Sequence, residues 1–192
     1  MDKQLDRYLS SGTELVQEHF TWDLGLLIPG RKGTLPVKVT TYLYDILAPE
    51  RYVSSVRSIV FKDDSILVIS QDNGEYYILP GGRLESGETP LDTLNREILE
   101  ETGWTIVNPD HIGFMHFHHL GEKPADYRYP FPDFIWPIYI SEAVEYKSEM
   151  KIYDRWVSGS EFHDIIEVRK LPLTQRELLL LDEALKVRES GV

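Results

Sequence analysis

Apolar residues at Leu5, Leu9, Val16 and Phe20 recur at helical spacing, which predicts an N-terminal helix over residues 3–20 with Gly12 as its weak point. The pairs Pro29-Gly30 and Lys32-Gly33 then mark turns. Residues 37–46 alternate loosely and are rich in Val, Thr and Tyr, the pattern of a strand. Two further strands are predicted over 53–61 and 65–70, around the turn Lys62-Asp63-Asp64. Asp72-Asn73-Gly74-Glu75 reads as a hairpin turn into a short strand from Tyr76 to Leu79. A helix over 90–102 comes next, then strands over 112–119 and 134–140 joined by a loop rich in proline and aromatics. One more strand at 153–157 and two helices, over 160–166 and 174–188, complete the pattern. Strands, a helix, more strands and terminal helices predict an α/β layered domain on a mixed sheet. Pro49-Glu50-Arg51 reads as a hinge, which divides the chain into an N-terminal extension, residues 1–50, and a main domain, residues 51–192.

The helix over 90–102 is well specified at both ends. Thr89 is its N-cap, Pro90 its first residue, Asp92 the capping-box partner and Gly103 the stop. Leu91, Leu94 and Ile98 share a narrow face suited to packing on a sheet. Glu97, Glu100 and Glu101 fall together on a neighbouring arc. Like charges at that spacing repel, and the last turn is where the helix dipole disfavours anions. Arg96 offsets only part of this. A helix with correct caps and stacked anions at its negative end suggests a functional compromise, relieved by a hard divalent cation that takes carboxylate oxygens and bridges to phosphate. Taken alone, three glutamates read more readily as a solvated acidic face.

Charge and composition narrow the partners. The chain of 192 residues carries a formal net charge of −12, and its basic residues cluster only in pairs such as Arg31-Lys32. It should therefore repel a nucleic-acid backbone, and a small anionic substrate would need cations or local arginines. No cysteine is present, which excludes disulfides, thiolate zinc sites and a thiol nucleophile, and fits a reducing, cytoplasmic setting. The polar start predicts no signal peptide, and no apolar run approaches the roughly 20 residues of a membrane span.

The spacing around the helix decides between the two readings of the glutamates. Gly82, five residues, Glu88, seven residues, Arg96-Glu97-Ile98, one residue, Glu100-Glu101, one residue, Gly103-Trp104 resembles a complete Nudix box. Only the last position departs, Trp104 standing where an aliphatic residue is usual. The resemblance implies an α/β/α sandwich with a mixed central sheet, here with the N-terminal extension added. It implies a hydrolase that cleaves a phosphoanhydride bond in a nucleoside diphosphate linked to another moiety, with Mg2+ as cofactor and Mn2+ as its substitute. Glu97, Glu100 and Glu101 would be the metal ligands, joined by a backbone carbonyl of Gly81 or Gly82, and Arg96 would orient the glutamates. Glu88 would support the loop–helix junction or a metal-bound water, or serve only as a first-turn dipole partner. A carboxylate would take the proton of the attacking water. Glu97 is one candidate and Glu149 the other, with Glu142 and Glu145 as rivals.

Substrate choice is less legible. Tyr127-Arg128-Tyr129-Pro130-Phe131 offers aromatic faces for a base and an arginine for a phosphate, so Arg128, Tyr129 and Phe131 are candidate substrate contacts in what is otherwise a rigid loop. His116 and His118 should share one strand face, with His119 on the other; a polar strand face and a metal or phosphate contact are both open. The extension over 1–50 could cover the sheet, form a homodimer interface or lid the pocket. Two rivals remain: a Nudix fold used as a non-catalytic ligand-binding or regulatory module, which typically loses box carboxylates, and an isopentenyl diphosphate isomerase, whose chemistry relies on a cysteine.

Overall fold

The computed structural model of the chain describes residues 2–27, 30, 32–127, 129–152 and 157–190, the side chains at 26 and 27 excepted. It contains two compact units, Met1–Ser54 with Gly113–Pro137, and Ser55–Ile112 with Ile138–Val192.

In the first unit, helix α1 (Lys3–Ser11) starts at Asp2, whose carboxylate accepts a hydrogen bond from the Gln4 amide at 2.9 Å. It buries Leu5 and Tyr8 and stops at Gly12. The predicted long helix is therefore wrong in its second half, which is strand β1 (Thr13–Asp23). Val16 and Phe20 satisfy a helical spacing, but with Glu18 and Trp22 between and beyond them they satisfy a period of two as well. Half-buried Val16, Glu18, Phe20 and Trp22 alternate with exposed Gln17, His19 and Thr21. A tertiary partner decides the ambiguity: β1 pairs antiparallel with β2 (Thr34–Leu43) along nearly its whole length. The one-turn helix α2 (Leu24–Leu27) connects them.

Two long strands run through both units, β6 (Trp104–His119) and β7 (Asp133–Tyr146), each longer than the sequence pattern predicts. Within the first unit β2 pairs antiparallel with the end of β6, from Val37↔His119 to Leu43↔Gly113. Gly113 is needed there, because a Cβ would lie 2.2 Å from the Tyr42 carbonyl oxygen. Tyr8, Tyr42 and Phe114 pack ring against ring in this unit's core.

The second unit holds β3 (Arg57–Lys62), β4 (Ser65–Ser70), β5 (Tyr76–Tyr77) and β8 (Gly159–Asp164). β3 pairs parallel with β7 and antiparallel with β4; β4 pairs antiparallel with β5 and β8. The sheet is thus mixed. Ile59, Val60 and Phe61 on β3 and Ile66 to Ile69 on β4 are all buried, with no alternation. Strands buried on both faces mean that both faces are covered. Helices α3 (Pro90–Thr102) and α5 (Gln175–Ser190) flank the sheet and bury Leu94 and Ile98, and Leu180, Leu181 and Ala184. This is the α/β/α sandwich that the sequence predicted.

The segment predicted as a helix over 160–166 is mostly strand β8, with only the turn α4 (Ile165–Val168) helical. Pairing of Phe162 and its neighbours along β4 outweighs local propensity. The strand predicted at 153–157 falls at residues 153–156 outside the described residues, and Val157 is not in a strand. Among the described residues no helix is long and apolar enough to cross a membrane.

Candidate active site

Helix α3 is placed by its caps. The Thr89 hydroxyl accepts from the Asp92 amide while the Asp92 carboxylate accepts from the Thr89 amide, a reciprocal box that fixes the first turn and with it the register of the later glutamates. Gly103 ends the helix in the left-handed conformation at φ 79°, and a Cβ on it would meet the Tyr146 ring at 2.7 Å. Thr93, Leu94, Ile98 and Thr102 form the buried face, whereas Leu91, expected there, is exposed. Trp104, the unusual last box residue, packs edge-on to Phe162 and against Tyr146, with the Lys62 ammonium 4.2 Å from its ring centre.

One arginine gathers the carboxylates. Arg96 grips Glu88 with two parallel bonds, Nε to Oε1 at 2.6 Å and Nη2 to Oε2 at 2.9 Å. Its Nη1 donates to Glu97 at 2.9 Å and to Glu100 at 3.1 Å, and Nη2 donates again to the Arg83 carbonyl at 3.1 Å. All five guanidinium donors are used, which a lysine could not reproduce. Glu88 also accepts from the Thr93 hydroxyl at 2.7 Å and the Glu85 amide at 3.0 Å. With Arg96 as the main cause, its carboxyl is held down to about 2. The oxygens of Glu88 are thus engaged in joining loop to helix. Glu97 behaves differently. Burial raises its proton affinity over the opposing pull of Arg96.

The glycines face these carboxylates. A Cβ on Gly82 would lie 2.0 Å from the carboxyl carbon of Glu97, so the Glu97 side chain occupies the space that only glycine leaves. The Gly81 amide donates to Glu101 at 2.9 Å, and a Cβ on Gly81 would lie 2.3 Å from the Val56 carbonyl oxygen. The Gly82 carbonyl accepts from the Val56 amide at 2.9 Å and from the Ser55 hydroxyl, which occupies both of its lone pairs.

Among the described residues no three His, Asp or Glu side chains stand in a metal-holding arrangement. The glutamates instead turn toward Arg96 and the Gly81 amide. The donor set still suits a hard divalent cation: three carboxylates within one and a half turns of helix, beside a glycine cradle that brings the backbone close.

The rival carboxylates are sorted by their surroundings. Glu149 is exposed in the 3-10 turn Ser148–Met150, and the segment around it is tied to the end of α3. The Lys147 amide donates to the Gly103 carbonyl and the Ile152 amide to the Glu100 carbonyl, each at 2.7 Å, satisfying carbonyls that a helix end leaves orphaned. Glu145 is ion-paired with Lys147 at 3.1 Å on the surface. Glu142 lies opposite Phe61 and lines a cavity with Asp110 and Arg188.

Tyr129 and Phe131 belong to the first unit, where they pack on a cluster of Leu24, Leu35 and Tyr127. Arg128 lies outside the described residues. His116 and His118 do share a strand face, and both reach the same oxygen of Asp133, at 2.9 and 2.7 Å. His119 faces the other way and bonds the Tyr127 hydroxyl at 2.7 Å.

The family model for the NUDIX domain matches residues 51–184. The chain belongs to the Nudix family. It is 27% identical over 136 residues to the Nudix hydrolase YvcI of Bacillus subtilis (strain 168), a match covering 70% of this chain and 81% of that one. It is 30% identical over 76 residues to the putative ADP-ribose pyrophosphatase YjhB of the same organism, covering 40% of this chain and only 36% of that protein. Among solved structures, the pyrophosphohydrolase BsRppH of Bacillus subtilis superposes with a TM-score of 0.57 at 18% identity, over 80% of this chain and 92% of that one. At such identity the likeness carries the fold. The protein is a Nudix hydrolase, an enzyme of pyrophosphate-bond hydrolysis in the general sense.

Three polar residues that bond to the segment around the glycine turn were not singled out from the sequence. Ser55, just before β3, donates to the Gly82 carbonyl, and Arg57, the first residue of β3, donates to the Ser55 hydroxyl. Glu177, 3% exposed, caps its own helix by accepting from Thr174 and also accepts from the Ile78 amide at 3.1 Å, just before the box. A charged residue in the run Val56-Arg57-Ser58-Ile59-Val60 was the one available signal, since a lone arginine between apolar strand residues needs a partner.

Proposed function

We propose that this Nudix hydrolase cleaves the diphosphate of a nucleoside diphosphate linked to another moiety, in a reaction that depends on Mg2+ or Mn2+. The observation that carries the reading is the cluster of Glu88, Glu97, Glu100 and Glu101 on one guanidinium beside the Gly81-Gly82 turn, more carboxylate than Arg96 can neutralise. A diphosphate brought to that cluster meets repulsion unless a divalent cation lies between. The relative YjhB, named for ADP-ribose, supports a substrate of this class.

Glu97, Glu100 and Glu101 would hold the cation, with the Gly81 carbonyl as the backbone candidate because the Gly82 carbonyl already has two donors. When bound, a divalent ion would neutralise the phosphates and acidify the attacking water. The protein's own part is orientation and proton transfer. Arg96 fixes Glu97 and Glu100, the Gly81 amide fixes Glu101, and Glu88 anchors Arg96. The proton of the water would pass to a carboxylate, with Glu97 and Glu149 as the two candidates. Burial raises the proton affinity of Glu97, while Glu149 is exposed on a segment bonded to the end of α3. Residues 1–50 precede the matched span. We propose for them either a homodimer interface or a lid, which the mass in solution tells apart.

The test is nucleotide release from ADP-ribose, NADH, diadenosine polyphosphates, nucleoside triphosphates and sugar nucleotides, each with magnesium and with chelator. Chelator-sensitive cleavage confined to the diphosphate-linked compounds is the expected result, and preference for triphosphates would overturn the substrate class. Profiles of kcat against pH for Glu97→Gln and Glu149→Gln identify the base, as the variant that loses the acid limb.

A further inference from the structure

Arg57 lies against the glycine turn, its Cα 3.2 Å from where a Cβ on Gly81 would stand. Its Nη1 donates to the Ser55 hydroxyl at 2.8 Å and to the Val56 carbonyl at 2.7 Å. Ser55 passes the contact on, donating to the Gly82 carbonyl, which the Val56 amide also holds. The Ser58 amide binds the Pro80 carbonyl at 3.0 Å, and Ser55 bridges antiparallel to Arg83. The glycine turn is therefore laced to β3 along one edge, and its other edge presents the Gly81 amide to Glu101 and the Gly82 cradle to Glu97.

Burial works against the Arg57 charge, and Glu101 and then Glu97 are the carboxylates that sustain it. Of these glutamates Glu101 supports the Arg57 charge most, and it is the one that Arg96 does not bond. The five donors of Arg96 go to Glu88, Glu97, Glu100 and the Arg83 carbonyl.

We propose that Arg57 is a positioning residue of the hydrolase, which locks the Gly81-Gly82 turn through Ser55 and supplies the resident positive charge that a divalent cation reinforces at Glu97 and Glu101. This rests on the metal-dependent hydrolase reading above. It distinguishes two halves of one cluster. Arg96 serves Glu88, Glu97 and Glu100 from the helix, and Arg57 serves Glu97 and Glu101 from the strand. Arg57 therefore acts on turnover through the geometry of the turn and the carboxylates, and contributes little to substrate affinity.

The experiment compares Arg57→Met, Arg57→Lys and Ser55→Ala with the unmodified enzyme, by steady-state kinetics and by the shift in melting temperature between chelator and magnesium. Arg57→Met should lower kcat by up to roughly 100-fold, the scale of an ångström-level misplacement, with KM little changed. Its magnesium-induced melting shift should exceed that of the unmodified enzyme, because the ion must now compensate Glu97 and Glu101 alone. Arg57→Lys should restore the normal shift but only part of kcat, since an ammonium keeps the charge and loses the planar fork. Ser55→Ala should lower kcat with an unaltered shift. An Arg57→Met shift equal to or smaller than normal, or a loss carried by KM, would overturn the proposal. If the unmodified enzyme shows neither metal-dependent turnover nor a shift, the hydrolase reading itself fails, a different result from either.

Discussion

Two polar clusters in this chain look alike as lists of titratable residues and differ in what they leave over. Around α3, Glu88, Glu97 and Glu100 share the donors of Arg96, and the Gly81 amide holds Glu101. In the first unit Asp133 sits between His116 and His118. Burial opposes its charge, but the hydrogen bonds from the two imidazoles bring its proton affinity below the ordinary value. The aspartate cluster is balanced by its own members, while the glutamate cluster is anionic and faces glycines that admit close approach. Functional sites keep such a local conflict, and structural networks resolve it.

The sharpest way to break this comparison is to neutralise one carboxylate in each cluster. Glu100→Gln and Glu101→Gln should each lower kcat by about 10²–10³-fold, as the loss of one electrostatic stabiliser does, and leave the chelator-treated protein folded. Asp133→Asn should keep kcat and lose about 1–3 kcal/mol of stability, measured by urea unfolding, because a buried network loses a charge-assisted acceptor. Loss of turnover in Asp133→Asn, with the glutamine variants active, would reverse the assignment.

A smaller effect separates site geometry from backbone strain. Gly82→Ala puts a methyl group into the Glu97 carboxylate, whereas Gly87→Ala, at φ 92° with nothing within 4 Å, meets only backbone strain. The first should lose most activity. The second should remain active and lose about 1–2 kcal/mol of stability, read from its unfolding midpoint.

The smallest effect is in pH. Burial holds the His119 imidazole down to about 4 from an ordinary 6.5. The unfolded chain takes up this proton first, so stability is full above 6.5 and declines as pH falls toward 4. Glu88 adds a later loss, as its stabilisation fades between 4.5 and about 2. Melting curves of His119→Phe should be flatter than normal between pH 6.5 and 4 and unchanged in slope below. An unaltered slope in the upper window would remove His119 as its source.

Part of this was written in local signals. The capping box at Thr89 and Asp92, Pro90 and Gly103 are encoded within a few residues, and α3 runs from Pro90 to Thr102 as those signals predict. The positions of Arg96, Glu97, Glu100 and Glu101 on that helix followed directly, because helical geometry turns spacing into direction. The helix predicted over residues 3–20 failed where Val16 and Phe20 fitted two periods at once, and only pairing with β2 chose between them. Residues 160–166 failed in the same way until β4 offered an edge.

The sequence by itself therefore determined the α/β class, the helix over 90–102 with its register and, through the spacing of the box, the Nudix family. Tertiary structure alone decided which strands exist at the edges, that Glu88 is bound to Arg96 and the loop, and that Gly82 is small to admit Glu97. It also brought Arg57, 40 residues before Glu97, to the glycine turn. The reason is range. Caps and helix faces are set by bonds between near neighbours, whereas a strand partner or a buried counter-charge exists only once distant segments have met.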